Sequence, residues 1–251
     1  MKTCLIHQPA GIGDVFFLQH LARKYIEFGY QVVWPLREDI LWITDYIKDI
    51  SFCSVNDDFV GKQYYGQDLI IISPDFVYLG VDKTHLWGVK VKSNIVSKYQ
   101  LANIDYHNWK DGFLFDRNIE KENELYYDVL GLKDDSEYVY VNSYYNTDNL
   151  VLDSFVGKEF GYPIVENEIL DGFTPFDWIK VWENAREIHT RATSISFIID
   201  KLNIKSEVYY YYLHDNQYND LLNIFTNVKE YIDLNNVPQR LGSFSDESSN
   251  S

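Results

Sequence analysis

The stretch from Thr3 to Trp34 constrains this chain more than any other. Residues 3–7 (TCLIH) form a short apolar run that ends in Gln8-Pro9-Ala10-Gly11, the pattern of a buried strand entering a turn. Beyond Val15, the apolar residues Leu18, Leu21, Ala22 and Tyr25 recur at i, i+3, i+4 and i+7, and Gly29 closes the segment as a helix C-terminal glycine does. Gln31-Val32-Val33-Trp34 then starts a second strand. A strand, a helix and a strand joined this closely make a βαβ unit, for which a parallel, right-handed arrangement is the strong default. The helix is expected to start at about Asp14 or Val15.

The same alternation continues along the chain. A short helix is predicted at 39–48, a strand near 51–55, and the apolar run Leu69-Ile70-Ile71-Ile72-Ser73 follows, so residues 1–95 are expected to form one doubly wound lobe. Residues 96–135 are less regular and are expected to connect two lobes, with a helix near 120–130 ended by Gly131. A second series opens with Tyr138-Val139-Tyr140-Val141-Asn142 and passes through Pro163-Ile164-Val165. Thr174 can cap a helix whose first residue is Pro175, with Trp178, Val181, Trp182 and Ala185 as its apolar stripe. Next come a very short strand, Glu187-Ile188-His189, a helix with Ile195, Ile198, Ile199 and Leu202 on one face, and a Tyr-rich strand from Glu207 to Tyr212. Residues 136–242 are thus expected to form a second lobe, and 243–251 a disordered polar tail. The two series share no repeat in residue identity, only their grammar. The expected fold class is α/β, with two Rossmann-like lobes facing across a cleft.

Composition narrows the function. In 251 residues, 46% apolar side chains that include 21 Tyr, 15 Phe and 6 Trp supply an ample core. The formal charge of −16 repels phosphate backbones and anionic lipid, which argues against general binding to nucleic acid or a membrane surface. A phosphate-bearing ligand would need positive groups and backbone N–H donors gathered in one place. Cys4 and Cys53 have no CxxC or metal-like spacing and are expected to be thiols in a reducing compartment. Residues 1–9 lack the apolar core of a signal peptide, and no apolar run approaches the roughly 20 residues of a membrane helix. The expected location is cytoplasmic.

Three places could carry chemistry. In the turn 8–14 (QPAGIGD), Gly11 and Gly13 would let backbone approach a ligand, and the helix that follows aims N–H groups and its positive dipole end into the same space. Phe16 and Phe17 stand where a dinucleotide fingerprint needs its third glycine, and no GK[ST] follows, so neither a nicotinamide cofactor nor a P-loop is expected. Asp14 has two readings: a helix cap or first-turn acid, or a general base taking a proton from an attacking hydroxyl. His7 has two as well, a hydrogen-bonded structural histidine or a lining residue of the cleft.

The second place is 187–196 (EIHTRATSIS), where His189, Arg191 and the hydroxyls of Thr193 and Ser194 converge on a helix start suited to a diphosphate. The alternative is an ordinary capped helix beside a solvent-exposed arginine. The third is the strand end at Asn142, Ser143 and Tyr144, either a sugar- or phosphate-contacting edge or a simple loop. Lys98 and Arg117 in the connector read first as solvated charges, with reach into the cleft as the alternative. Six scattered histidines with no HxH, HExxH or DxD pattern give no metal site, and no GxSxG elbow is present.

The turn and helix GIGDVFFLQHLARKY, together with EIHTRATSISFIIDKL, resemble the two hallmark regions of GT-B glycosyltransferases, in particular the heptosyltransferase-like enzymes of glycosyltransferase family 9 and related small transferases from microbes and viruses. The resemblance matches the family's GD pair to Gly13-Asp14 and implies Asp14 as the base. It matches the nucleotide-sugar diphosphate segment to His189 and Thr193-Ser194, with FDWIKVWENAREIH as the approach to it. It covers the two ends of the chain, and HTRATS stands in place of the family's glycine-rich donor motif. What it implies is a hexosyl- or heptosyl-transferase that needs no metal or other cofactor, with a nucleotide-sugar donor and a glycan or lipid-linked acceptor. Asn142 and Ser143 join the donor side, and Gly11 and Gly13 the acceptor side. The rival is a non-catalytic glycan- or protein-binding module on a degenerate transferase fold.

Overall fold

The computed structural model describes residues 2–67, 70–81, 94–142, 161–191, 193–212 and 224–233. The residues expected to form the polar tail, 243–251, lie outside them.

The apolar run TCLIH becomes strand β1 (Thr3–His7), buried along its whole length. It continues into helix α1 (Ile12–Glu27), strand β2 (Gln31–Leu36) and strand β3 (Ser51–Ser54), which pair in parallel as β3-β2-β1. The other side of β1 is taken by β5 (Phe76–Gly80), also parallel, with β4 (Ile70–Ile72) antiparallel at the edge. The first sheet is therefore five-stranded in the order β3-β2-β1-β5-β4. The segment predicted as a helix at 39–48 is a 3-10 helix over Glu38–Asp45.

Three helices follow in the stretch expected to connect the lobes: α2 (Asn94–Leu101), α3 (Trp109–Gly112) and α4 (Ile119–Asn123). The last runs on as a π-helical turn, Glu124–Val129, before Gly131 at φ 64°. The second sheet is built from β6 (Val139–Asn142), β7 (Ile164–Glu166), β8 (Glu187–Arg191), β9 (Glu207–Tyr212) and β10 (Glu230–Asp233). All its pairings are parallel and its order is β10-β9-β8-β6-β7. Pro175–Trp178 and α5 (Ile179–Asn184) lead into β8, and α6 (Ser194–Leu202) joins β8 to β9.

One apolar cluster runs from the first sheet to the second. Phe16 and Phe17 of α1 reach Phe176 and Phe197, with ring centroids 5.2 Å and 5.7 Å apart. Each such ring, fully buried, contributes about 1.5–3 kcal/mol. Beside them the Tyr46 hydroxyl donates to Asp177 Oδ1 at 2.8 Å, and Asp177 has no exposed surface. Asp177 Oδ2 accepts the Thr174 N–H at 2.7 Å and its hydroxyl at 2.9 Å, which closes the cap predicted at Thr174. Lys110 of α3 pairs with the buried Asp200 of α6 at 2.6 Å, so the connector is tied to the second sheet's helices as well. Among the described residues, no helix is long and apolar enough to cross a membrane.

Candidate active site at the two switch points

In each sheet the chain winds outward from one strand and then returns to that strand's other side. The reversals fall between β1 and β5 in the first sheet and between β6 and β8 in the second. At such a point the loops leaving the carboxyl ends of neighbouring strands part in opposite directions and open a crevice, where ligands of open α/β sheets bind. The residues at these ends are His7 opposite Gly80, and Asn142 opposite Thr190.

At the first switch point the turn after β1 is held from several sides. The indole N–H of Trp34 donates to the Gln8 carbonyl at 2.9 Å, the Arg37 N–H to the Pro9 carbonyl at 2.9 Å, and the Gln8 side-chain amide to the Ala10 carbonyl at 2.5 Å. Gly11 then turns the chain at φ 81°, a conformation that favours glycine, and its carbonyl accepts the first helical bond, from Val15, at 3.0 Å. The helix thus starts at Ile12, two residues before the predicted start, and Gly13 lies inside its first turn.

At Gly13 the close neighbour is the protein itself. A Cβ there would stand 3.1 Å from Phe197 Cε2 and 3.4 Å from Ser194 Cα, so its missing side chain lets the first turns of α1 and α6 touch. Asp14 follows directly. Its side chain is 29% exposed, and Oδ1 lies 2.6 Å from the ammonium of Lys98. Among the described residues this is its only hydrogen bond. Asp14 is a first-turn acid, then, and caps no N–H of its own helix. Lys98 is not the solvated charge expected of it: its side chain is 5% exposed, and the Gln8 side-chain oxygen accepts from it as well. His7 is buried and packs edge-on against Tyr65, with centroids 4.4 Å apart.

At the second switch point the buried Asn142 donates to Thr190 Oγ1 at 3.0 Å and to Thr193 Oγ1 at 3.3 Å, bracing both strand ends and the start of α6. Thr193 is the N-cap. Its N–H donates to Ser196 Oγ at 3.2 Å, and Ser194 opens the helix, half-buried. Ser143 and Tyr144 lie outside the described residues.

Strand β8 runs two residues further than predicted, which corrects the placement of two candidates. Arg191 is the last residue of the strand and is buried, rather than exposed in a turn. His189 is inside the strand, buried and stacked on Tyr209 with centroids 4.8 Å apart. Its Nδ1 lies 2.7 Å from the Tyr211 hydroxyl and its Nε2 3.1 Å from Glu187. A neutral imidazole satisfies both, accepting from Tyr211 and donating to Glu187. Burial accordingly lowers its pKa below 6.5, against the opposing pull of Glu187. With both ring nitrogens engaged, His189 ties β8 to β9 through Tyr211.

Arg117, the other connector charge, bonds Glu122 at 2.8 Å and Glu183 at 2.7 Å beside an open pocket of about 490 Å³ lined by Asp45, Asp116 and Asn118. It faces neither switch point. Among the described residues, no three His, Cys, Asp or Glu side chains gather to hold a cation.

No protein-family model matches the chain, and no curated protein matches it in sequence. Solved structures do match it in shape. The glycosyl transferase family 9 protein from Veillonella parvula superposes over 92% of this chain and 86% of its own, with a TM-score of 0.50 and 9% identity. The fold is of the GT-B type. TibC, the iron-containing dodecameric glycosyltransferase from enterotoxigenic E. coli, matches over 92% of this chain at a TM-score of 0.50 and 11% identity, and this chain spans 64% of its length. At these identities the likeness is one of fold, and activity must be argued from the site.

Proposed function

We propose that this protein is a glycosyltransferase that moves a sugar from a nucleoside-diphosphate donor to a hydroxyl of a glycan or lipid-linked acceptor. The observation that carries the reading is the contact of two helix starts, with Gly13 against Ser194. Asp14 follows Gly13 directly and Thr193 caps α6 next to Ser194, which supports reading the carboxylate and the N–H groups of the α6 start as parts of one site. In the proposed reaction Asp14 takes the proton of the acceptor hydroxyl as its oxygen bonds to the anomeric carbon. The bond from that carbon to the diphosphate breaks, and the electron pair leaves on the phosphate oxygen. The α6 N-terminus, the hydroxyls of Thr193 and Ser194 and the Arg191 guanidinium offset the growing charge. That role needs no metal ion. Asn142 and His189 hold these groups in place.

The test is a thermal-shift panel of ADP, GDP, UDP and their sugar conjugates, followed by turnover of whichever conjugate binds. Asp14→Asn should lower kcat by about 10²–10⁴-fold while donor affinity is kept. Turnover should persist in a chelator. Binding of none of these nucleotides would favour the non-catalytic binding module.

A further inference from the structure

We propose that Lys98 is the positioning residue of the Asp14 base. The inference rests on the reading of Asp14 given above and extends it to a residue 84 positions away in sequence. The ammonium of Lys98 is buried, and a buried cation is tolerated only where charge and hydrogen bonds compensate it. Two partners do so: Asp14 Oδ1 at 2.6 Å and Gln8 Oε1 at 2.5 Å. Gln8 is itself fixed, through its carbonyl by Trp34 and through its amide by the Ala10 carbonyl. The cation, carried by α2, therefore sits on a seat built from the turn after β1 and braced by Trp34 of β2.

The two carboxylate oxygens of Asp14 are thereby given different environments. Oδ1 is anchored to Lys98. Oδ2 lies beside Gly11, so close that a Cβ there would stand 2.7 Å from it, and Gly11 is exposed. Among the described residues Oδ2 accepts no hydrogen bond. Lys98 thus removes the rotational freedom of the carboxylate and leaves one oxygen presented to solvent, the geometry a base needs before an acceptor hydroxyl arrives.

The experiment compares Lys98→Met, Asp14→Asn and the double variant. Release of nucleoside diphosphate from the turned-over conjugate is followed, with affinity for ADP, GDP and UDP measured alongside. Lys98→Met should lower kcat by about 10–100-fold, the loss expected from a misaimed base, while nucleoside diphosphate affinity stays within about two-fold. On the Asp14→Asn background the same change should cost nothing more, because Lys98 acts only through Asp14. Lys98→Arg, which keeps the charge, should recover part of the loss. A Lys98→Met enzyme as fast as wild type, or losses that multiply in the double variant, would overturn the proposal. Wild-type turnover in Asp14→Asn would instead overturn the base itself. Should Lys98→Met not fold, Gln8→Leu loosens the seat while sparing the ion pair; a several-fold fall in kcat supports the proposal and an unchanged kcat rejects it.

Discussion

Gly13 of α1 and Phe197 of α6 stand so close that the smallest side chain on Gly13 would come within 3.1 Å of the phenyl ring. The ring has little room to yield, because Phe17, Trp109 and Phe225 surround it with centroids 5.1–5.7 Å away. Gly13→Ala sets a helix-propensity gain of about 1 kcal/mol against this crowding, and no net rise in Tm is expected. Gly13→Val should destabilise by about 1–3 kcal/mol, the usual cost of overpacking. A thermal melt of Gly13→Val at or above the wild-type Tm would show that the helix contact is softer than described.

Tyr46→Phe removes one hydroxyl and keeps the ring, which stacks on Phe176 at 4.7 Å. The loss strands Asp177 Oδ1 in a fully buried place. A cost of about 1.5–3 kcal/mol is expected from the broken bond to a charged acceptor. Burial first, reinforced by the Asp177 charge, holds the Tyr46 hydroxyl protonated well beyond its ordinary range, so it remains a donor at any working pH. Tyr46→Ala should cost more, since the ring goes too. Equal urea midpoints for the Phe variant and wild type would mean that this bond contributes nothing.

Stability should fall between pH 7.5 and 5.5. His189 has its pKa depressed below 6.5 by burial, and His20 by burial and by Lys24, so the unfolded chain binds the extra protons first. Their stabilising contribution is complete above pH 6.5 and is lost as the pH drops through the lower folded values. The window stays above the range where Asp105 and Glu207, whose pKa values are held low by hydrogen bonds, begin to titrate. His189→Gln should flatten the slope measured by urea unfolding across this window. An unchanged slope would show that His189 is not linked to folding.

Much of the fold was legible in local pattern. Alternation placed β1, α1, β2, β6 and β9, and the Thr174-Pro175 start and the stripe through Trp178 and Trp182 came out as read. The misses share a cause, which is that they are decided by distant partners. β5 was passed over although FVYLG is apolar, because its role as the neighbour of β1 comes only from pairing, and β10 was missed in the same way. No local signal puts Gly13 inside α1, since a glycine disfavours helix interior; it answers instead to Ser194 across the molecule. Thr190 and Arg191 looked like turn residues, yet β6 and β9 on either side extend the strand through them. Of the site, the two helix starts were readable from caps and glycines. Lys98 was not, since only the packing of α2 against α1 turns a surface-type residue into a buried partner of Asp14.

The unbroken apolar seam through Phe16, Phe17, Phe176 and Phe197 limits how this molecule can work mechanically. Two sheets that shared only a hinge could swing apart to admit substrates and close over them. Here any such rotation would have to unstack aromatic rings and expose the Asp177 carboxylate. On the proposed reading, then, donor and acceptor would have to enter without the two sheets swinging apart. Melting should likewise proceed as one event, with neither half surviving as a separate unit.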